Sequence, residues 1–221
     1  LVSAEGNPRQ IRVTGYDCRE TDNALQVEAT NDFHMTNWHV SDTTNQWSAL
    51  APTPFKNQWM IIGSTNVTMV NGYADSELNA LGFSINGFGC TNVSFIGLKT
   101  GPLFRCTTMN VQSGEDVYKG LFKNWAWTDC YFPRNGITFY QSSVTDQANY
   151  PWGYWRDWRF VNCMWENDSI FDPIVMRASA GLLSFDDTCV FNGKPPRELK
   201  GNKITFNATV RANGIQSSRM Q

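Results

Sequence analysis

The sequence predicts an all-β chain wound as a solenoid, and three observations predict it. Short strands of alternating apolar residues return every few tens of positions. Polar corners bearing Asn, Asp and Gly separate them. Three cysteines fall at the same place in the returning phrase. The phrase reads Leu81-Gly-Phe83-Ser-Ile85, a corner through Asn86 to Asn92, then Val93-Ser-Phe95. It returns as Trp125-Ala-Trp127-Thr-Asp-Cys130-Tyr-Phe132, as Trp158-Arg-Phe160-Val-Asn-Cys163-Met-Trp165, and as Leu183-Ser-Phe185-Asp-Asp-Thr-Cys189-Val-Phe191.

Taken in order, the first strands are expected around Ile11/Val13, Leu25/Val27, Phe33/Met35, Met60/Ile62 and Val67/Met69, with a proline loop at 51–55 between them. Thr65-Asn66 and Thr91-Asn92 precede matching strands, so the step from Asn66 to Asn92 is one plausible turn of the solenoid. Ser113 to Asp116 reads as a capping box ahead of Val117, Leu121 and Trp125, so a short helix is one reading of 114–123. Residues 141–155 read as a long aromatic loop, and 194–197 as a second loop. Trp125, Trp127, Trp158 and Trp165 alternate in phase with the core and are expected inside. The steps from Cys130 to Cys163 and from Cys163 to Cys189 resemble solenoid turns, and the step from Cys106 to Cys130 resembles another. Six cysteines allow three bridges in 15 pairings, but aligned places favour stacked, buried thiols. One domain over 1–221 is expected. The ends show no evident caps, which suggests part of a larger chain or assembly.

Composition narrows the function. The net charge is −2, with only 17% charged residues, so nothing recommends a nucleic-acid partner. No apolar run approaches the ~18–20 residues of a membrane span. Nine tryptophans exceed what a small core needs, which points some of them to a binding surface. There is no Cys-x-x-Cys pair, and His34 and His39 have the wrong separation for a zinc helix. There is no nucleophile elbow for a hydrolase triad, and Gly87-Phe-Gly89 lacks the rest of a dinucleotide fingerprint. No metal and no cofactor are expected. Asn66, Asn92, Asn167 and Asn207 head glycosylation sequons, but Asn before a β-branched residue is also what corners produce.

The Thr-Asn-Val-x-Phe/Met phrases and the aligned Asn/Cys corners resemble right-handed parallel β-helices of the pectin-lyase-like kind, over most of 9–210. Within that class the Trp- and Asn-rich composition is most similar to bacteriophage tailspike and tail-fibre proteins. The resemblance implies a homotrimer on a virion that binds bacterial surface polysaccharide, with or without cleaving it. It supplies no catalytic residues, and the acidic calcium cluster and catalytic Arg of pectate lyases have no clear counterpart.

The residues themselves offer two candidate sites. Asp157, Glu166, Asp168, Asp172, Asp186 and Asp187 lie on or near three neighbouring turns. Adjacent strands are ~4.8 Å apart, which suits the paired carboxylates of glycoside hydrolysis. The other reading makes them corner and solvent-facing residues. Tyr150, Trp152, Tyr154 and Trp155, beside Arg156 and Arg159, form either a sugar platform or a loop clamped on the solenoid. Two further readings stay open. One is a non-enzymatic virion protein with a jelly-roll sandwich, whose Gln221 terminus fits release from a polyprotein. The other is a secreted polysaccharide lyase or glycoside hydrolase.

Overall fold

The computed structural model describes residues 9–19, 25–41, 59–75, 77–81, 90–101, 105–109, 122–133, 137–139, 155–166, 174–176, 180–193, 196, 199, 201–212 and 215–218. These residues are all-β, without a helix. The helix expected at 114–123 falls largely outside them, but Phe122 and Lys123 already belong to the strand Phe122–Thr128.

Each passage of the chain lays down strands in the same places. A first set comprises Arg9–Thr14, Thr91–Ile96, Phe122–Thr128, Trp155–Val161, Ala180–Phe185 and Gly201–Phe206. A second comprises Asp17–Arg19, Lys99–Thr100, Tyr131–Phe132, Met164–Glu166, Val190–Asn192 and Thr209–Ala212. Asn31–Ser41 and Thr65–Asp75 are long enough to run through both sets, so the two join as one curled 15-stranded sheet. A third set, Leu25–Glu28, Trp59–Ile62, Glu77–Leu81, Arg105–Met109, Ile137–Phe139 and Ile174–Met176, forms a separate six-stranded sheet. Among the described residues every strand pairing is parallel except one, Thr209–Ala212 with Ile215–Ser218. A jelly roll is built of antiparallel strands, so this register removes that alternative.

The spacing read from the sequence returns as register. Thr65 pairs with Thr91, the step expected from Asn66 and Asn92. The tiers are nevertheless unequal. Lys123 is answered only at Arg156, after the long aromatic segment, whereas Ala180 is answered already at Gly201. Cys106 belongs elsewhere: it lies in the third set between Leu78 and Ile137, so its offset from Cys130 is a coincidence of spacing.

Because strand side chains alternate, one face of each strand turns inward and builds a column through the stack. Met69, Phe95, Trp127, Phe160, Phe185 and Phe206 occupy one register position. The Trp127 and Phe160 rings lie 11° from parallel, and Phe160 and Phe185 are 4.8 Å apart. Trp125 stacks on Trp158 at 4.6 Å and 3°. Phe132, Trp165 and Phe191 make a third column. The four tryptophans expected inside are at most 1% exposed. The Trp125 indole donates to the Cys90 carbonyl at 3.0 Å, whereas the buried Trp127 and Trp165 indoles have no hydrogen-bond partner among the described residues.

The corners need left-handed backbone, which Gly, Asn and Asp adopt at least cost. Gly15, Asn37, Asn71, Gly97, Asp129 and Asn162 all have φ between 49° and 71° at the corner between first and second sets. Just beyond it stand Leu98, Cys130, Cys163, Cys189 and Ala208, and backbone hydrogen bonds link this corner from tier to tier. Among the described residues Cys18, Cys90, Cys130, Cys163 and Cys189 are free thiols. Cys130 donates to the Thr128 carbonyl, Cys163 to that of Trp127 and Cys189 to that of Phe160. Cys90 stands at a different corner, where burial pushes its thiol up to about 12. Burial also raises Cys163, and the neighbouring Cys163 raises Cys189. Such thiols stay protonated and chemically inert.

Candidate functional site

The inward faces are committed to packing, so chemistry must lie on the outward ones. The first set carries a column of left-handed residues within its strands: Gln10, Asp32, Asn66, Asn92, Asn124 and Asp157, with φ of 54–63°. Four of them are joined. Asn66 donates to the Asp32 carboxylate at 2.8 Å, Asn92 to Asn66 at 2.9 Å, and Asn124 to Asn92 at 2.9 Å. This amide ladder accounts for two of the four sequon asparagines.

The ladder stops at Asp157. Two positions on stands exposed Arg159, which pairs across the strands with Ser184 and then Thr205. Beside that row Leu182 pairs with Lys203. Together Asp157, Arg159, Leu182, Ser184, Lys203 and Thr205 line a groove of about 280 Å³ over three tiers. Leu182 is 43% exposed and makes an apolar patch between the charged groups. Among the described residues Asp157, Arg159 and Lys203 make no ion pair with one another.

The structure therefore brings together two of the residues singled out in the sequence, Asp157 and Arg159. The other described carboxylates stand apart, in different columns. Glu166, exposed at the end of its strand, accepts a 2.7 Å hydrogen bond from the Tyr131 hydroxyl, and this raises the Tyr131 phenol. Asp186 sits on the corner. Partial burial opposes its ionisation, but hydrogen bonds from Thr188, Cys189 and the Asn162 and Thr188 amides together hold its carboxyl below the ordinary range. It fixes the turn through Thr188 Oγ1 at 2.7 Å and the Asn162 amide at 3.3 Å. Asp187 is exposed in the same turn. Asp168, Asp172, Tyr150, Trp152 and Tyr154 lie outside the described residues. Trp155 and Arg156 have strand positions, opposite Phe122 and Lys123, but their side chains are likewise outside the description.

A larger groove, about 610 Å³, lies across the corner between first and second sets. Nothing in the sequence pattern points to it. Its outward column runs Asp17, His39, Tyr73, Lys99. The Arg19 guanidinium forks onto Asp17 at 2.8 and 3.0 Å and holds that carboxyl below the usual range. Burial, then the Asp75 charge, raises the Tyr73 phenol, and burial with the Cys18 hydrogen bond pushes Tyr16 up to about 12, so both remain protonated donors. The only signal that could have found the column is register: its members lie a whole tier apart in sequence and share no motif. Among the described residues no group of three or more His, Cys, Asp or Glu is placed to hold a metal ion.

No protein-family model matches this chain, and no curated protein matches it. A solved structure described as a "putative glycosyl hydrolase from Parabacteroides merdae" aligns with 96% of this chain and 85% of its own, at 12% identity and a TM-score of 0.34. A likeness at that level carries no argument about activity.

Proposed function

We propose that this chain is a right-handed parallel β-helix from a virion tail appendage and that it recognises acidic polysaccharide on the bacterial surface. The supporting observation is the groove at Asp157, Arg159, Leu182 and Lys203, where two cations with no described ion pair flank an exposed apolar side chain. Arg grips a carboxylate through two parallel N–H donors, and Lys adds a point charge. The leucine meets the C–H face of a pyranose ring. Strands repeating at ~4.8 Å offer a linear polymer a long, regular surface. A homotrimer would multiply that contact and raise avidity without any new interaction. In the depolymerase form of this reading Asp157, the carboxylate in the groove, is one of the catalytic groups, whereas Glu166 is engaged by Tyr131 and Asp186 by its corner.

The test is binding to purified capsular and O-antigen polysaccharides, with and without uronic acids, followed by assay of reducing ends and ultraviolet-absorbing products. The acidic polymers bind, and Arg159→Gln or Lys203→Gln weakens them about tenfold, as loss of one charge-assisted hydrogen bond does. Equal affinity of both variants and the parent would remove this groove from recognition. Absence of binding to every polymer would remove the function itself. Asp157→Asn stops product release in the depolymerase form.

A further inference from the structure

We propose that the corner groove is a second saccharide site, one that takes neutral, hydroxyl-rich sugar units. The inference rests on the polysaccharide-binding reading and adds a site to it. The floor of the groove is built where glycines admit the side chains of the neighbouring tier. Trp38 lies against Gly72 of the next tier, where any Cβ would collide with the indole. A Cβ on Gly97, whose φ is +65°, would stand 2.9 Å from the Asn71 amide oxygen. The hollow spans four tiers, roughly 14 Å along the stack at ~4.8 Å per strand.

Its walls carry the groups that sugar hydroxyls use. Arg19 occupies one direction of each Asp17 oxygen, and a carboxylate has about four acceptor positions, so it keeps acceptors for hydroxyl donors. Arg19 also approaches His39 Nδ1 at 3.4 Å. The same ring nitrogen stands 3.9 Å from an Asp17 carboxylate oxygen, so the imidazole is held among the polar groups of the wall. The His39 ring packs edge-on against Tyr73 at 4.9 Å and 75°, and Tyr73 is 36% exposed. An aromatic ring fixed by its neighbour and open on the outside stacks on pyranose C–H groups at low entropic cost. Charge separates this site from the other. One carboxylate, Asp17, and one ammonium, Lys99, line this groove, so its lining has no surplus of fixed cations to favour a uronate. The groove at Arg159 has two cations to one carboxylate.

The chain contains two histidines. His39 lines this groove. His34 lies outside it, several tiers from Arg159 along the same outward row, and serves as the internal reference. Protein labelled with nitrogen-15 at histidine is titrated with neutral oligosaccharides of glucose, galactose, mannose and rhamnose, and separately with oligogalacturonate. At least one neutral oligosaccharide shifts the His39 ring signals to saturation and leaves His34 unmoved, while oligogalacturonate leaves His39 in place. Tyr73→Ala and Asp17→Asn each weaken the neutral ligand about tenfold, with unchanged circular dichroism. An unmoved His39 with every neutral sugar, or His34 moving in its place, overturns the second site. The Arg159 groove is judged apart from it, by whether oligogalacturonate binding depends on Arg159.

Discussion

The lower and upper parts of one outward column differ in a way that separates structure from function. From Asp32 to Asn124 each side chain is answered by the one in the next tier, and the amides consume one another's hydrogen bonds. From Asp157 onward the same face presents Asp157, Leu182 and Lys203, which cannot continue the ladder. The left-handed backbone continues one tier past the last amide, since Asn124 and Asp157 both have φ of 56°, and Leu182 and Lys203 no longer adopt it. A repeated polar residue is therefore a structural part where its neighbour is of its own kind. It becomes available to a ligand where the neighbour changes.

The largest effect should be common to both regions, because they share one interior. Trp125→Ala cuts beneath the ladder and Trp158→Ala beneath the groove, and each should cost about 3–5 kcal/mol in urea unfolding. A much cheaper Trp158→Ala would mean that the upper tiers pack less tightly, and the comparison would no longer be one of surfaces alone.

Next comes the ladder itself. Asn92→Ala loses two ladder bonds and forces a β-carbon into left-handed backbone, together about 2–3 kcal/mol. Asn92→Gly removes the bonds but not the backbone freedom, and should recover about 1 kcal/mol of that. Leu182→Ala, on the ladder-free part, should change stability by less than about 0.5 kcal/mol. A Leu182 variant as costly as the Asn92 variants would break the distinction.

The smallest effect is a pH dependence. Asp186 has its folded pKa below the unfolded one, so it stabilises the fold above the unfolded value and the benefit is lost as pH falls through the folded value. Stability measured from pH 7 down past the ordinary carboxylate range, about 3.9, should fall less steeply in Asp186→Asn than in the parent. Identical slopes would show that the corner does not need the charge. They would also free Asp186 for the catalytic role first considered for it.

Much of the fold was legible because it is periodic. Phe95, Trp127, Phe160 and Phe185 announce one strand face, and Cys130, Cys163 and Cys189 announce one corner. Cys106 shows the limit of counting. Tiers differ in length, as the pairings of Lys123 with Arg156 and of Ala180 with Gly201 make plain, so one offset fits many registers. The site was less legible. Asp157 and Arg159 stood out as charges beside aromatics, but Leu182 and Lys203 join them only through strand pairing. Nothing local marks Asp17, His39, Tyr73 and Lys99 as neighbours.

The sequence by itself determined that the chain is β, that one face of each strand is apolar, and that Asn, Asp and Gly turn its corners. These are local properties, set by alternation of side chains and by the cost of left-handed backbone. Tertiary structure decided which outward residues meet. In a stack of parallel strands a lateral neighbour is a whole tier away in sequence, and the length of each tier is set by its connecting segments rather than by the strands.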